Sequence, residues 1–329
     1  MTRAIPAIVA TALAFVAWSS TSAHAQALPD FAKIEFRAEP IAPNLYTLTG
    51  SPKIDPGHPE AAGGRIAVLV GPEGVLMVDA SYAPVTDKVV AAVKQLTAAP
   101  IRFVIDTHSH PDHTGGNANL AKLGALVLAR DDARASMARP LPAFARAAAA
   151  PDTDPTRLPV VTYGAGDPVK IYLNGEVIDL IGVRLAHTSG DTIVRFESSD
   201  VIMIGDFYRG YGYPFFDTTN GGTLAGLVNA VDIVTRLAGP KTQLVPGHGA
   251  IVRRDALVAY RDMIVDIEAK VQKLIEAGKT EQEVIAAKLT APYDTKAPGR
   301  LDVLPAGLGT SADRFVKTVY AALKAPSAP

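Results

Sequence analysis

The sequence predicts an α/β fold of two sheets sandwiched between helix layers, on three observations. Strand-like apolar runs are followed by helical stretches, and the same order recurs in the second half of the chain. No repeat of roughly 20–50 residues and no clean linker divides the 329 residues, which read as one domain behind a leader. Clusters of His and Asp follow several of the strands and sit beside glycine, at the strand ends where open α/β sheets place their chemistry.

The elements follow from local pattern. Ile34–Phe36 and Asn44–Thr49 read as opening strands, and Gly50–Gly64 as a Pro/Gly-rich loop holding His58. Ile66–Val70 and Val75–Asp79, joined by Gly71-Pro72-Glu73-Gly74, read as a hairpin. Val85, Val89, Val93 and Leu96 share one face of a helix over Ala83–Thr97. Ile101–Asp106 is a branched and aromatic strand, and a helix begins near Gly116 with Thr114 as its expected cap. Leu126–Leu128 is a strand, after which Asp131 is expected to cap a helix to about Ala138. Arg139–Pro159 is an irregular insertion and a candidate lid, as is the Gly50–Gly64 loop. Lys170–Glu176 turns at Asn174-Gly175, a strong hairpin signal, into Val177–Leu185. Thr192–Glu197 and Val201–Ile204 pair next, then a helix over Gly222–Leu237 and a short strand at Gln243–Val245. Asp255–Glu276 is amphipathic, Thr280–Glu283 is a capping box, and Asp313–Leu323 is a last helix.

Bulk properties exclude several classes. Hydrophobic content of 48% supports a sizeable core, and a net charge of −1 with a pI near 6.7 offers no basic surface for nucleic acid. The absence of cysteine removes disulfides and thiolates, so any metal must be held by nitrogen and oxygen. Arg3, the apolar stretch Ile5–Trp18 and the small-x-small run Ala23-His24-Ala25 read as a cleavable secretory signal over residues 1–25. Residues 26–329 would then be the mature domain, with a core over about 40–255 and a helical extension over about 255–329. A periplasmic or secreted protein without a membrane anchor is expected.

The chemistry concentrates in Thr107-His108-Ser109-His110-Pro111-Asp112-His113-Thr114-Gly115-Gly116. Of seven histidines in the chain, three fall in this one turn. Imidazole with carboxylate suits zinc and its divalent neighbours, and His-x-His directs both rings to one side of an extended segment. His187, Asp206 and His248 each stand just after an apolar strand and beside or near glycine, which permits close backbone approach.

These motifs, in this order, resemble the metallo-β-lactamase superfamily from about Leu45 to about Val252. The resemblance implies a four-layer αββα sandwich with two metals in a groove between the sheets. It implies that His108, His110 and His187 hold one metal, Asp112, His113 and His248 the other, and that Asp206 bridges them. Two Zn2+ per chain are expected, with iron or manganese as alternatives. Two divalent ions, two carboxylates and one hydroxide leave a local charge of about +1, and such a site holds hydroxide at neutral pH. Asp112 is the expected catalytic residue, as ligand and as orienter of that nucleophile.

The lack of cysteine sets the chain apart from lactamases with a cysteine ligand. The aspartate bridge resembles the glyoxalase II, lactonase and phosphodiesterase branches. The leader and the stretch from Gly205 to Asp217 resemble secreted lactamase-like hydrolases. The expected function is therefore an exported binuclear zinc hydrolase acting on a small, possibly anionic molecule with a carbonyl-centred bond, a β-lactam first. Lactone, ester or thioester hydrolysis and an iron-dependent persulfide dioxygenase are the alternatives, and a non-enzymatic metal-binding protein is the third. Arg209, Tyr211 and Tyr213, directly after Asp206, are candidate substrate contacts through a carboxylate pair or an oxyanion donor. Asp79 is either a helix cap or a support for the metal loop, and Asp191 and Thr192 either orient His187 or turn the backbone.

Overall fold

Every residue of Ile66–Leu69 and Val75–Val78 is buried, which a strand achieves when both faces of its sheet are covered. The computed structural model describes residues 30–50, 63–141, 146, 149, 151, 153–295 and 310–325. In chain order it contains β1 (Arg37–Ala42), β2 (Leu45–Thr49), β3 (Ile66–Leu69), β4 (Val75–Val78), α1 (Thr86–Leu96), β5 (Ile101–Ile105), α2 (Pro111–Thr114), α3 (Asn117–Lys122), β6 (Leu126–Arg130), α4 (Asp131–Met137) and β7 (Val161–Tyr163). These strands form one sheet in sequence order, antiparallel through β4 and parallel from β4 to β7. The second half supplies β8 (Val169–Leu173), β9 (Glu176–Arg184), β10 (Gly190–Phe196), β11 (Val201–Met203), α5 (Leu224–Leu237), β12 (Gln243–Val245), α6 (Arg254–Glu276), α7 (Glu281–Ala286) and α8 (Ser311–Lys324). Its sheet has the order β12-β11-β10-β9-β8, with β11 and β12 parallel.

Alternation along the strands sorts the core into layers. Leu69, Leu76, Val78 and Ile105 of the first sheet meet Leu180, Val194, Phe196 and Met203 of the second. Their neighbours Val68, Met77 and Val104 point outward onto Val89, Val93 and Leu120 of α1 and α3. On the far side, Ile193, Ile202 and Leu244 pack on Leu227 and Val231 of α5, Leu257 and Ile264 of α6, and Phe315 of α8. Each such side chain contributes about 1.5–3 kcal/mol on burial. The result is an αββα sandwich, as expected, and the stripe of α6 is core contact.

Local chemistry accounts for most element boundaries. Asn174 and Gly175 both take positive φ (54° and 76°), the turn that joins β8 to β9 with native twist. At α7, Thr280 and Glu283 form the expected capping box: Thr280 N donates to Glu283 Oε2 at 2.8 Å, and Glu283 N to Thr280 Oγ1 at 3.3 Å. Thr280→Ala should destabilise this helix by about 1 kcal/mol, read as faster amide exchange confined to α7. The backbone bond from Thr280 holds Glu283 down at about 2. A lowered acid stabilises the fold above its ordinary pKa, so the contribution of the box is lost as pH falls from about 4.5 towards 2.

Several expectations need correction. Ile34–Phe36 is not a strand: Asp30 caps a 3-10 turn at Phe31–Lys33, and Ile34 plugs a small cluster with Val85. The first strand starts at Arg37, polar and interrupted by Pro40, which an edge strand tolerates. β7 carries no strand signal in the sequence because it is three residues long and largely exposed. Thr114 does not cap the helix after it; its hydroxyl donates to the His110 carbonyl. Asp131 is the first helical residue rather than the cap. Residues 1–25, where a leader is expected, and His58 lie outside the described residues, as does part of each candidate lid. Among the described residues, no helix is long and apolar enough to cross a membrane.

Candidate metal centre

The polar residues that follow β4, β5, β9, β11 and β12 converge at one end of the sandwich. After β5 the chain bends through Thr107–Ser109 and is extended again at His110, then Pro111 opens the single-turn α2. Asp112 and His113 therefore lie on a helical turn rather than in an open loop. His108, His113, His187, Asp206 and His248 are buried; His110 and Asp112 are half-buried.

Two groups of donors face each other. His187 Nε2 lies 3.1 Å from His110 Nδ1, and the His108 ring is 4.8 Å from each of those rings. In the other group His248 Nε2 lies 3.0 Å from Asp112 Oδ2 and 3.4 Å from His113 Nε2. Asp206 stands between them, with Oδ2 at 3.8 Å from His187 Nε2 and 3.4 Å from His248 Nε2, and Oδ1 at 3.4 Å from His113 Nε2. All seven expected residues are thus brought together. His108, His113 and Asp206 also form a compact set of their own.

The donor set fits cations on one ground: in four of the five rings the outer nitrogen has an acceptor for its proton, which leaves the inner nitrogen to take a cation, while His248 Nδ1 is buried without a partner. His113 Nδ1 donates to Asp79 Oδ2 at 2.8 Å, and His187 Nδ1 donates to the Phe215 carbonyl at 2.9 Å. His110 Nε2 donates to Asp217 Oδ2 at 2.9 Å. Thr107 spends its own hydroxyl proton on Asp79, so its oxygen accepts from His108 Nδ1 at 3.1 Å. Fixing a tautomer through the remote nitrogen is how proteins aim imidazole at a metal. His108 Nε2 and Asp206 Oδ1 are buried with no hydrogen-bond partner, an expense that a cation would relieve.

Electrostatics agree with crowding of both kinds of group. Burial and the His110 ring hold His187 down at about 3, and burial with His113 and His187 holds His108 well below the imidazole range, so both are neutral. Burial also works against a charge on His113, but Asp206, Asp112 and Asp79 outweigh it and raise that imidazole. Burial would raise Asp112, yet His113 and His248 keep it ionised.

His113 has its room because Gly64 and Gly247 flank it. A Cβ on Gly64 would overlap its ring, and one on Gly247 would overlap both the ring and Asp206 Oδ1. Gly247→Ala should therefore displace two donors at once and lower metal content to below half of wild type, measured by elemental analysis of folded protein.

Outside the donors, some expectations hold their place and others do not. Asp79 is no helix cap: it accepts Thr107 N at 2.7 Å as well as Thr107 Oγ1 and His113 Nδ1. Asp191 accepts from Thr188 N and Oγ1, which shapes the loop behind His187. Thr192 instead meets the Tyr163 hydroxyl. Tyr211 sits 6.2 Å from the His248 ring, with the Arg209 guanidinium 4.7 Å over its own ring, so both stand beside the donors. Tyr213 does not line the site. It is buried, and its hydroxyl donates to Thr290 O at 3.0 Å and Asp294 Oδ1 at 2.6 Å. Asp217, Thr107 and the Phe215 carbonyl were not read as site groups; Asp217-Thr-Thr-Asn looks like a capped turn, which it also is.

Two packed sheets between helices, with nitrogen and carboxylate donors gathered at one end, define a class of hydrolytic metalloenzyme. The chain belongs to the metallo-beta-lactamase superfamily, whose family model matches residues 62–259, more than half of its length. Solved structures share the fold. A metallo-beta-lactamase from Pontibacter korlensis is 15% identical over 70% of this chain and all of its own, with a TM-score of 0.54. The metallo-beta-lactamase FIM-1 from Pseudomonas aeruginosa, in a mono-zinc form, is 19% identical over 70% of this chain and 94% of its own, at 0.55. The sec-alkylsulfatase Pisa1 from Pseudomonas sp. is 16% identical, covers 87% of this chain and 50% of its own, at 0.59. No curated protein matches the sequence.

Proposed function

We propose that the chain is an exported hydrolase that takes two zinc ions, one on His108, His110 and His187 and one on Asp112, His113 and His248, with Asp206 shared between them. The observation that carries this is the pairing of two donor groups across a single carboxylate, whose Oδ2 lies within 3.8 Å of a nitrogen from each. Divalent ions there would supply Lewis acidity toward a carbonyl or phosphoryl oxygen and bring the pKa of water near 7. Among the carboxylates of the two groups, Asp112 is the more exposed, with 22% of its side chain accessible against 7% for Asp206. It is ionised and is the carboxylate that solvent reaches more readily, so it would orient the attacking water and take up its proton. Tyr211 and Arg209 stand on the His248 side, where an anionic group of the substrate would lie.

A β-lactam is the substrate class we favour, because an exported enzyme meets such compounds first and two structural neighbours are named metallo-beta-lactamases. The test is the mature protein against a chromogenic cephalosporin, an acyl lactone, a glutathione thioester and a secondary alkyl sulfate, each with and without chelator. Chelator-sensitive opening of the cephalosporin is expected; turnover of another member alone reassigns the substrate, and none at all removes the hydrolase reading.

A second reading rests on His108, His113 and Asp206, a two-histidine, one-carboxylate set of the kind that suits a single iron and oxygenase chemistry. Elemental analysis separates them: about two zinc per chain against about one iron.

A further inference from the structure

We propose that the C-terminal helix α8, which lies beyond the family match, is a positioning element of the metal centre, acting through Phe215 on His187. The proposal rests on the metal-centre reading above and adds an element to it.

The path is continuous. Phe215 touches His187 twice: its carbonyl accepts from Nδ1 at 2.9 Å, and its ring meets the imidazole edge-on at 5.6 Å. The carbonyl contact fixes which nitrogen of His187 carries the proton, and so which one faces His110. Two residues further on, Asp217 N donates to the His187 carbonyl at 2.8 Å while its carboxylate holds His110 Nε2. One short segment thus sets two of the three imidazoles in the first donor group.

That segment is held from the other side by α8 and its approach. The Arg314 guanidinium lies 4.7 Å over the Phe215 ring. Ser311 Oγ accepts from Tyr213 N at 3.2 Å, and Phe315 stacks on Tyr213 at 6.2 Å with 17° between the planes. The Tyr213 hydroxyl is bonded to Thr290 and Asp294, between α7 and α8 in the chain. Phe215 is therefore clamped between a cation on α8 and an imidazole of the site. A cation over an aromatic face and a hydrogen bond to a buried backbone amide both resist small displacements. Freeing the ring would let the carbonyl drift, and the His187 tautomer and aim with it.

The experiment uses full-length protein and Co2+ alone. Affinity is measured by competition with a chromophoric chelator, coordination by the visible spectrum of bound Co2+, and stability by melting of the metal-free protein. Arg314→Ala should weaken Co2+ binding about tenfold and shift the spectrum, the size found when a support of a metal-bound histidine is lost. Arg314→Lys, which keeps a cation over Phe215, should recover most of the affinity. Ser311→Ala is a smaller change, expected to weaken binding a few-fold in the same direction. Lys288→Ala cuts an exposed ion pair to Asp313 on the same helix and should leave affinity and spectrum unchanged. Variants at Arg314 and Ser311 that melt lower yet bind Co2+ with parental affinity and spectrum overturn the proposal, because α8 would then only pack. Wild-type protein that takes up no Co2+ overturns the metal-centre reading, and this inference with it.

Discussion

Asp112→Ala is expected to lower turnover by at least about a thousand-fold, within the range that proton transfer and metal-assisted activation contribute, while the fold remains. Both halves of this expectation come from where the side chain sits. It occupies the first turn of α2, and its Oδ2 faces His248 Nε2 at 3.0 Å and His113 Nε2 at 3.6 Å. Its backbone carbonyl, not its side chain, makes the structural bond to Gly64 N. Alanine keeps that bond and the helical turn. The imidazoles of His113 and His248 remain, so metal can still bind weakly, but the half-exposed carboxylate that orients water is gone. His110→Ala should cost as much activity by removing a donor from the other group. Steady-state rates beside melting curves decide the matter: parental turnover in either folded variant would falsify the site assignment.

Asp79→Ala should have the largest effect on stability, about 3–5 kcal/mol, with metal affinity down about 10–100-fold. Asp79 is buried and takes three hydrogen bonds, from Thr107 N, Thr107 Oγ1 and His113 Nδ1. Alanine would strand all three donors where water does not reach. It would also place a Cβ-bearing apolar residue at φ 68°, a left-handed conformation that aspartate and asparagine tolerate better. Asp79→Asn separates the two causes, since it keeps an acceptor oxygen and the backbone tolerance but loses the charge opposite His113. It should recover stability more than metal affinity. Thermal denaturation and chelator competition measure both; an alanine variant within about 0.5 kcal/mol of wild type would show that the three bonds carry nothing.

Much of the fold was legible because its signals are local. Continuous apolar runs at Ile66–Leu69 and Val75–Val78 mark the strands of a hairpin, and helical stripes mark α1, α5, α6 and α8. Asn174-Gly175 and the Thr280–Glu283 box carry their geometry in their own side chains. β1 and β7 were missed or misplaced for the opposite reason. β1 is an edge strand that is polar and partly exposed, and β7 is an edge strand of only three residues, so neither is separated from loop by its sequence. The place of Tyr213 after Asp206 suggests a substrate contact, and only packing shows that it faces Thr290 and Asp294.

By itself the sequence determined what kinds of element form and what kinds of atom are available to a cation: imidazole nitrogen and carboxylate oxygen, since the chain has no cysteine. Tertiary structure alone decided which of those atoms meet. His110 and His187 are 77 residues apart, and Asp112 and His248 are 136 apart, so no local pattern relates them. It also decided which nitrogen points inward in four of the five rings, because Thr107, Asp217, Asp79 and Phe215 set the tautomers of His108, His110, His113 and His187. The physical reason is range: backbone preference and periodicity act over a few residues, whereas a coordination site is defined by distances of a few ångströms between strand ends that only the packing of two sheets brings together.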